Sequence, residues 1–276
     1  MSYTCYNNSF FEDSNISLSL DNRAFKYGDG LFETIIFDGI ILRFWHDHFS
    51  RLAQGLDILK LQYPENFELE LKHNILSLVA QNQHLKGARV RLQVWRKDGG
   101  LYTPTDNGVN YVIQSFDYLP QKTEPLTLAI CKNMNMSYST VSHLKTCNSI
   151  AYIVASLEKQ ERNIGDLVLL DTNGNISEAT SSNIFWVQNE QWYTPSLRTG
   201  CVAGVMRKNM IKILEKNGKP VLEIETSITK LHNAQGIFLS NVTGIRGVSR
   251  FEDLSFDKSF VEENRKYLER LVGNKV

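Results

Sequence analysis

Lys145 is the only charged side chain between Lys132 and Glu158, within the run Ser142-His143-Leu144-Lys145-Thr146-Cys147-Asn148. A lysine can form a Schiff base with an aldehyde or ketone once its surroundings lower the ammonium pKa and expose a nucleophilic amine. By spacing alone, a solvated surface lysine is the simpler account. Three polar turns carry further possibilities. Ser177-Glu178-Ala179-Thr180-Ser181-Ser182-Asn183 combines small hydroxyl and amide groups, which let a backbone approach an anion, with a carboxylate able to hold a protonated ring nitrogen. A capped turn explains the same residues. Gly200-Cys201-Val202-Ala203-Gly204-Val205-Met206-Arg207 leads into a helix, whose unpaired first N–H groups form a ready phosphate site. It lacks the P-loop order. Leu239-Ser240-Asn241-Val242-Thr243-Gly244-Ile245 is a further polar turn after an apolar strand. His46 and His48 lie near a helix start, HExxH is absent, and no catalytic metal is expected.

Positioning such groups needs strands and helices on both sides of the lysine. Two β-rich runs from Leu31 to Phe44 flank Asp38-Gly39 and predict a β-hairpin. Phe49, Leu52, Leu56 and Leu59 recur at helical spacing with Asp47 as N-cap, and a second helix is expected from Phe67 to His84. Arg89 to Trp95 alternates strictly, placing Arg89, Arg91, Gln93 and Trp95 on one strand face and Val90, Leu92 and Val94 on the other. A further strand is expected from Asn110 to Phe116. Asp117 to Pro125, with two prolines, is a candidate interdomain linker. Beyond it, Leu126 to Ile130, Leu167 to Asp171, Asn183 to Val187, Gln191 to Thr194 and Gly236 to Leu239 suggest strands. Ile150, Ile153, Val154 and Leu157 set out a helix face, and helices are expected from Ala203 to Lys216 and from Lys258 to Val272. The expected fold is mixed α and β (α+β or α/β) in two parts: a small N-terminal domain, residues 1–118, and a larger C-terminal domain, 119–276, that carries Lys145.

The whole composition narrows the function classes. The chain has 276 residues, 42% of them hydrophobic, and its 30 basic and 30 acidic side chains balance. That balance argues against nucleic acid, whose binders concentrate basic charge. The four cysteines form no CxxC pair, which argues against a zinc site or a secreted disulfide framework, and a reducing cytoplasm is expected. The N-terminus lacks the features of an export signal, and no run approaches the ~20 apolar residues of a membrane span.

The motifs taken together, in order along the chain, carry a resemblance. Tyr27-Gly28-Asp29-Gly30-Leu31-Phe32-Glu33-Thr34, His48-Phe49-Ser50-Arg51-Leu52, His143 to Asn148, Ser177 to Phe185 and Gly204 to Arg207 resemble class IV aminotransferases. These are fold type IV pyridoxal-phosphate enzymes, including branched-chain and D-amino-acid aminotransferases and aminodeoxychorismate lyases. The resemblance implies a two-domain fold with pyridoxal 5'-phosphate between the domains, and a homodimer. It implies that Lys145 is the catalytic Schiff-base lysine and moves the substrate's α-proton. By the same resemblance Glu178 pairs with the pyridine nitrogen. Arg51 and the backbone N–H groups of Val205 and Met206 bind the cofactor phosphate. Asn241 stands where many members have a phosphate-binding threonine, Val202 packs on the ring, and Asn148 orients Lys145 or the ring hydroxyl.

In the family the alternating strand borders the active site, so the resemblance implies substrate contacts from Arg91, able to bind a carboxylate or to make a surface ion pair, from Trp95 and from Phe32. Leu101 stands where lyase-like members carry an arginine in Arg96-Lys97-Asp98-Gly99-Gly100-Leu101-Tyr102-Thr103-Pro104. The leading expectation is transfer of an amino group between a small amino acid and a 2-oxo acid. The alternative is a lyase that releases pyruvate and 4-aminobenzoate from aminodeoxychorismate, for folate synthesis. A non-catalytic member of the fold is a third reading, against which the joint presence of Lys145 and Glu178 argues.

Overall fold

The computed structural model describes residues 2–118 and 124–273. They divide into two compact units: residues 2–118 with Leu144–Asn148, and 124–143 with 149–273. Residues 119–123 of the expected linker lie outside the described residues.

The first unit holds β1 (Tyr3–Tyr6), β2 (Ser9–Glu12), α1 (Arg23–Tyr27), β3 (Gly30–Phe37), α2 (Trp45–Ile58), α3 (Phe67–Gln81), β4 (Ala88–Arg96) and β5 (Val109–Asp117). Its antiparallel sheet runs β2-β1-β5-β4-β3. Strand alternation splits the sheet into two faces. Leu31, Ile35, Val90, Leu92, Val94 and Ile113 are buried with Leu52 and Leu56 of α2 and Leu71, Ile75 and Leu78 of α3. In each helix these residues recur every three or four positions, so one stripe faces the sheet. The pairings Phe32↔Gln93, Thr34↔Arg91 and Ile36↔Arg89 put those residues on the opposite face, which the two helices do not cover.

Two local expectations differ from the structure here. Asp38-Gly39 does turn the chain, with Gly39 at φ 98, but no hairpin follows. Only Phe37 and Leu42 bridge across the turn, while β3 spends its length pairing with β4. Leu42 is buried in the core and α2 starts at once, so the second run has no room to extend as a strand. That helix begins at Trp45 after Phe44 in the left-handed region. Asp47 therefore sits inside the first turn instead of capping it.

The second unit holds β6 (Leu126–Met136), α4 (Ile150–Glu161), β7 (Asp166–Asp171), β8 (Ile176–Ala179), β9 (Asn183–Gln188), β10 (Gln191–Pro195), α5 (Val205–Lys216), β11 (Val221–Ile224), α6 (Thr229–His232), β12 (Gly236–Asn241), β13 (Gly244–Phe251), β14 (Leu254–Ser255) and α7 (Lys258–Gly273). Its strands run β11-β10-β9-β12-β13-β6-β7-β8, with β14 against β13. Helix α4 turns the opposite way from its apolar pattern. Ala155 and Glu158 are buried, whereas Ile150, Ile153 and Leu157 are 69%, 53% and 53% exposed. The Glu158 carboxylate is the cause: it accepts the N–H groups of Lys132 and Asn133 at 3.0 and 2.9 Å where β6 bulges, between Ile130 and Asn135. The carboxylate thus takes the place of a strand acceptor where the bulge interrupts the ladder.

Lys145 groups with the first unit, not with the C-terminal part to which its sequence position assigned it. The reason lies at a sheet edge. β3 ends the five-stranded sheet, and its outer backbone groups take up Leu144–Asn148 through an antiparallel bridge between Leu31 and Thr146. Phe32 N–H donates to the Lys145 carbonyl and Cys147 N–H to the Gly30 carbonyl, both at 2.9 Å.

Candidate active site

Within the first unit that edge pairing lays Lys145 against the open face of the sheet. Its Nζ is 4.5 Å from the centroid of the Phe32 ring, and Cζ of Arg91 is 4.2 Å from the same centroid. Arg91 also donates to Gln93 Oε1 at 3.2 Å. Burial lowers the Arg91 pKa; the Cys147 sulfur opposes that shift and the Arg89 charge adds to it. Trp95, 1% exposed, stacks on Tyr6 at 6.0 Å and receives the close approach of Gly30. Its indole N–H has no hydrogen-bond partner among the described residues. Asn148 is exposed and packs against Gly28, where a Cβ would lie 2.4 Å from its Oδ1; Gly28 has φ 65 and closes α1.

Arg51 lies on the other side of the sheet, on α2. Its Nε and Nη2 donate to the two oxygens of Glu33 at 2.8 and 2.5 Å, and His48 Nδ1 meets Glu33 Oε2 at 2.7 Å. Glu33 is 2% exposed. Burial alone would raise its pKa, but the Arg51 charge and the His48 contact bring it down to about 2. A similar ion cluster braces the loop after β4. Asp29 takes Arg23 and Arg96, and Arg23 Nη1 donates onward to the carbonyls of Gly99, Gly100 and Leu101.

Within the second unit the three polar turns of the sequence converge. Glu178, on β8 and 6% exposed, accepts the Tyr152 hydroxyl at 2.7 Å and the Val202 N–H at 3.4 Å. Burial and then the Glu178 charge push the Tyr152 phenol well above its ordinary value, so it stays a proton donor. From half-buried Val202 the turn passes to Gly204, the N-cap of α5, where a Cβ would lie 2.0 Å from Asn183 Oδ1. Asn183 in turn donates to the Ser240 carbonyl at 2.7 Å. Asn241 donates to the Ser181 carbonyl and the Ser182 hydroxyl, both at 3.2 Å, and accepts from Thr243 N–H and Oγ1. Val205 and Met206 occupy the first turn of α5, where N–H groups have no intrahelical acceptor.

Residues 30–251 match the family described as amino-transferase class IV. The chain belongs to the class IV aminotransferase family. It is 28% identical to the aminodeoxychorismate lyase of Vibrio harveyi over 92% of this chain and 94% of that protein. It is 25% identical to the D-alanine aminotransferase of Bacillus licheniformis, over 86% of this chain and 84% of that one. Among solved structures, the branched-chain aminotransferase of Thermoproteus uzoniensis superposes with a TM-score of 0.89 at 19% identity, covering 99% of this chain and 96% of that one, and shows the same fold. Members of the family are pyridoxal-phosphate-dependent aminotransferases or lyases.

For this class IV chain, Lys145, Phe32 and Arg91 come together in one unit, and Glu178, Val202, Val205, Met206 and Asn241 line connected turns in the other. Arg51 and Trp95 do not share the face neighbourhood of Lys145 so directly: Arg51 is beneath the sheet and Trp95 is buried against Tyr6. Tyr152 was not singled out from the sequence, and Glu33 and Asn183 stood within motifs without a role of their own. Glu33 had a legible signal, a lone acid alternating with Leu31, Ile35 and Phe37 on the core face of a strand. Tyr152 had none, because its partner lies 26 positions away. No three His, Cys, Asp or Glu side chains among the described residues converge into a metal site. No helix among them is long and apolar enough to cross a membrane.

Proposed function

We propose that this chain is a pyridoxal 5'-phosphate-dependent aminotransferase that moves an amino group between a small amino acid and a 2-oxo acid. The observation that carries the reading is Lys145 held by backbone bonds at a sheet edge, with its amine over Phe32 and a half-buried arginine over the same ring. The donor set fits the cofactor in chemical kind. A buried carboxylate held by a phenol suits a protonated ring nitrogen, and Glu178 with Tyr152 supplies it. A helix start whose N-cap leaves no space for a Cβ suits a phosphate, with Val205, Met206 and Asn241 in the same unit, whereas Arg51 is already paired with the buried Glu33 carboxylate. The cofactor, when bound, supplies the electron sink for breaking a bond at the substrate's α-carbon.

The chain's own residues do the rest. Lys145 Nζ would hold the cofactor through its aldehyde and would move the proton at the substrate's α-carbon. Glu178 keeps the ring nitrogen charged, Val202 and Asn148 orient the ring and the lysine, and Arg91, with Phe32 and Trp95, holds the substrate carboxylate. Self-association as a homodimer accompanies this reading, supported by the exposed apolar side of α4 at Ile150, Ile153 and Leu157.

The lyase is the second reading. It is favoured by the similarity to the Vibrio harveyi lyase and by 30% identity to the aminodeoxychorismate lyase of Bacillus subtilis over 80% of this chain and 75% of that protein. Borohydride reduction after incubation with pyridoxal phosphate, followed by peptide mass analysis, is expected to label Lys145 and to label nothing in Lys145→Ala. An unlabelled Lys145 in the wild-type chain refutes both readings. Pyruvate formed from aminodeoxychorismate without an amino acceptor decides for the lyase.

A further inference from the structure

A cavity of about 490 Å³ opens in the first unit between the β1–β2 turn, the start of α3 and the loop from β4 to β5. That volume lies within the roughly 300–1,000 Å³ typical of small-molecule sites. None of Lys145, Phe32 and Arg91 lines it. Its framework is held by local contacts. Asn7 and Asn8, at φ 45 and 66, turn the hairpin, and Tyr111 N–H donates to Asn7 Oδ1 at 2.8 Å. Tyr63 packs on Phe67, and Phe67 meets Tyr111 edge-on, with ring centroids 5.7 and 5.6 Å apart.

The wall of this cavity is short of one proton. The Tyr111 hydroxyl lies 2.9 Å from Glu70 Oε1 and 2.8 Å from Asn8 Oδ1, and it has a single hydrogen to donate. Burial first, and then the Glu70 carboxylate, push this phenol well above its ordinary value, so it does not ionise near neutrality. Asn74 Nδ2 donates to the same hydroxyl at 2.9 Å and to Asn8 Oδ1 at 2.6 Å, which gives Asn8 a donor of its own. Half-buried Glu70 has the shared phenol alone, and no cation pairs with it among the described residues. Lys97 is turned instead to Asp106, 3.9 Å away. With two acids and one base, the lining carries an excess of negative charge.

We propose that this cavity binds a small organic ammonium ion, with its N–H on the Glu70 carboxylate and its apolar body against Tyr63, Pro64 and Val109. Such a cation supplies the missing donor and offsets the excess charge. The three apolar residues are exposed or half-buried, and an aromatic ring beside a carboxylate attracts an ammonium through its quadrupole as well as its apolar surface. An anion would meet Glu70 without compensation, and two carboxylates fall short of the oxygen ligands a metal ion needs. The ligand undergoes no reaction, so this site is independent of the function assigned to Lys145.

The test uses the full-length chain loaded with pyridoxal phosphate, titrated near neutral pH in a calorimeter. The probes are N,N-dimethyl-2-phenylethylamine, a tertiary ammonium ion that cannot condense with an aldehyde, and 2-phenylethanol, its uncharged counterpart. The ammonium is expected to bind about tenfold or more tighter than the alcohol. In Glu70→Gln, which keeps an acceptor for Tyr111, the ratio falls to within about twofold. Gln62→Trp sets an indole on the exposed rim of the cavity and is expected to weaken both probes about fivefold or more. Gln62 is exposed and Glu70 half-buried, so both variants are expected to keep close to the wild-type melting temperature, measured alongside. Equal affinity for the two probes in the wild type, a preference that survives in Glu70→Gln, or binding that Gln62→Trp leaves unchanged overturns the proposal.

Discussion

Replacing Glu33 by Gln perturbs the most deeply buried charge of the first unit. The carboxylate is 2% exposed and holds Arg51 through two oxygens and His48 through one of them. Removing one partner of a buried ion pair strands the other, at a cost of about 3–5 kcal/mol. Linkage gives a separate measure. The carboxyl titrates near 4.5 in an open chain and at about 2 in the folded one, a difference worth on the order of 3 kcal/mol. Because the folded value is the lower, this stabilisation is complete above about pH 5 and fades as the pH falls toward 2; by about pH 3 more than half is gone. Urea midpoints followed by tryptophan fluorescence at about pH 7 and about pH 3 read both effects. Glu33→Gln is expected to lose roughly 3 kcal/mol near neutrality and distinctly less near pH 3. A loss under ~1 kcal/mol at neutral pH, or a gap that does not narrow in acid, refutes the argument that Glu33 is an ionised, paired anchor.

Two further substitutions probe the second unit. Tyr152→Phe deletes the hydroxyl that donates to buried Glu178; it is expected to cost about 1.5–3 kcal/mol by thermal unfolding and to weaken pyridoxal-phosphate binding in a fluorescence titration. Unchanged stability and unchanged affinity together remove Tyr152 as a support of Glu178. Gly204→Ala inserts a methyl group 2.0 Å from Asn183 Oδ1 at a backbone conformation alanine adopts without strain, so its effect is purely one of space. Roughly tenfold weaker binding of pyridoxal phosphate is expected, with a smaller change for pyridoxal, which has no phosphate. Equal losses for the two ligands place the phosphate elsewhere.

Much of the candidate site was legible because its residues are local signals. The isolation of Lys145, the alternation of β4 and the glycines before α5 are each visible within a dozen positions. The lapses occurred where a local signal met a stronger distant partner. Asp38-Gly39 has hairpin chemistry, yet β4, some fifty residues on, pairs with β3 along its full length. The apolar spacing of Ile150, Ile153 and Leu157 marks a helix correctly and its buried side wrongly, because Glu158 is drawn inward to two backbone donors of β6. Periodicity counts apolar faces and has no means of weighing a buried carboxylate that satisfies unpaired N–H groups.

Sequence alone determined most of the elements, the mixed class and the candidates for reactive groups, since each depends on residue type and short spacing. Tertiary structure decided their company. Lys145 is placed by hydrogen bonds to β3 more than a hundred residues earlier, Glu178 by a tyrosine on the preceding helix, and Arg51 by an acid on the far side of a sheet from Phe32. It also decided that Arg89 and Arg91 share a sheet face with no acid among their cross-strand partners, although acids make up as many residues as bases in the whole chain. Net charge is a sum over the sequence, whereas the field at a site depends on which of those charges folding brings within a few ångströms.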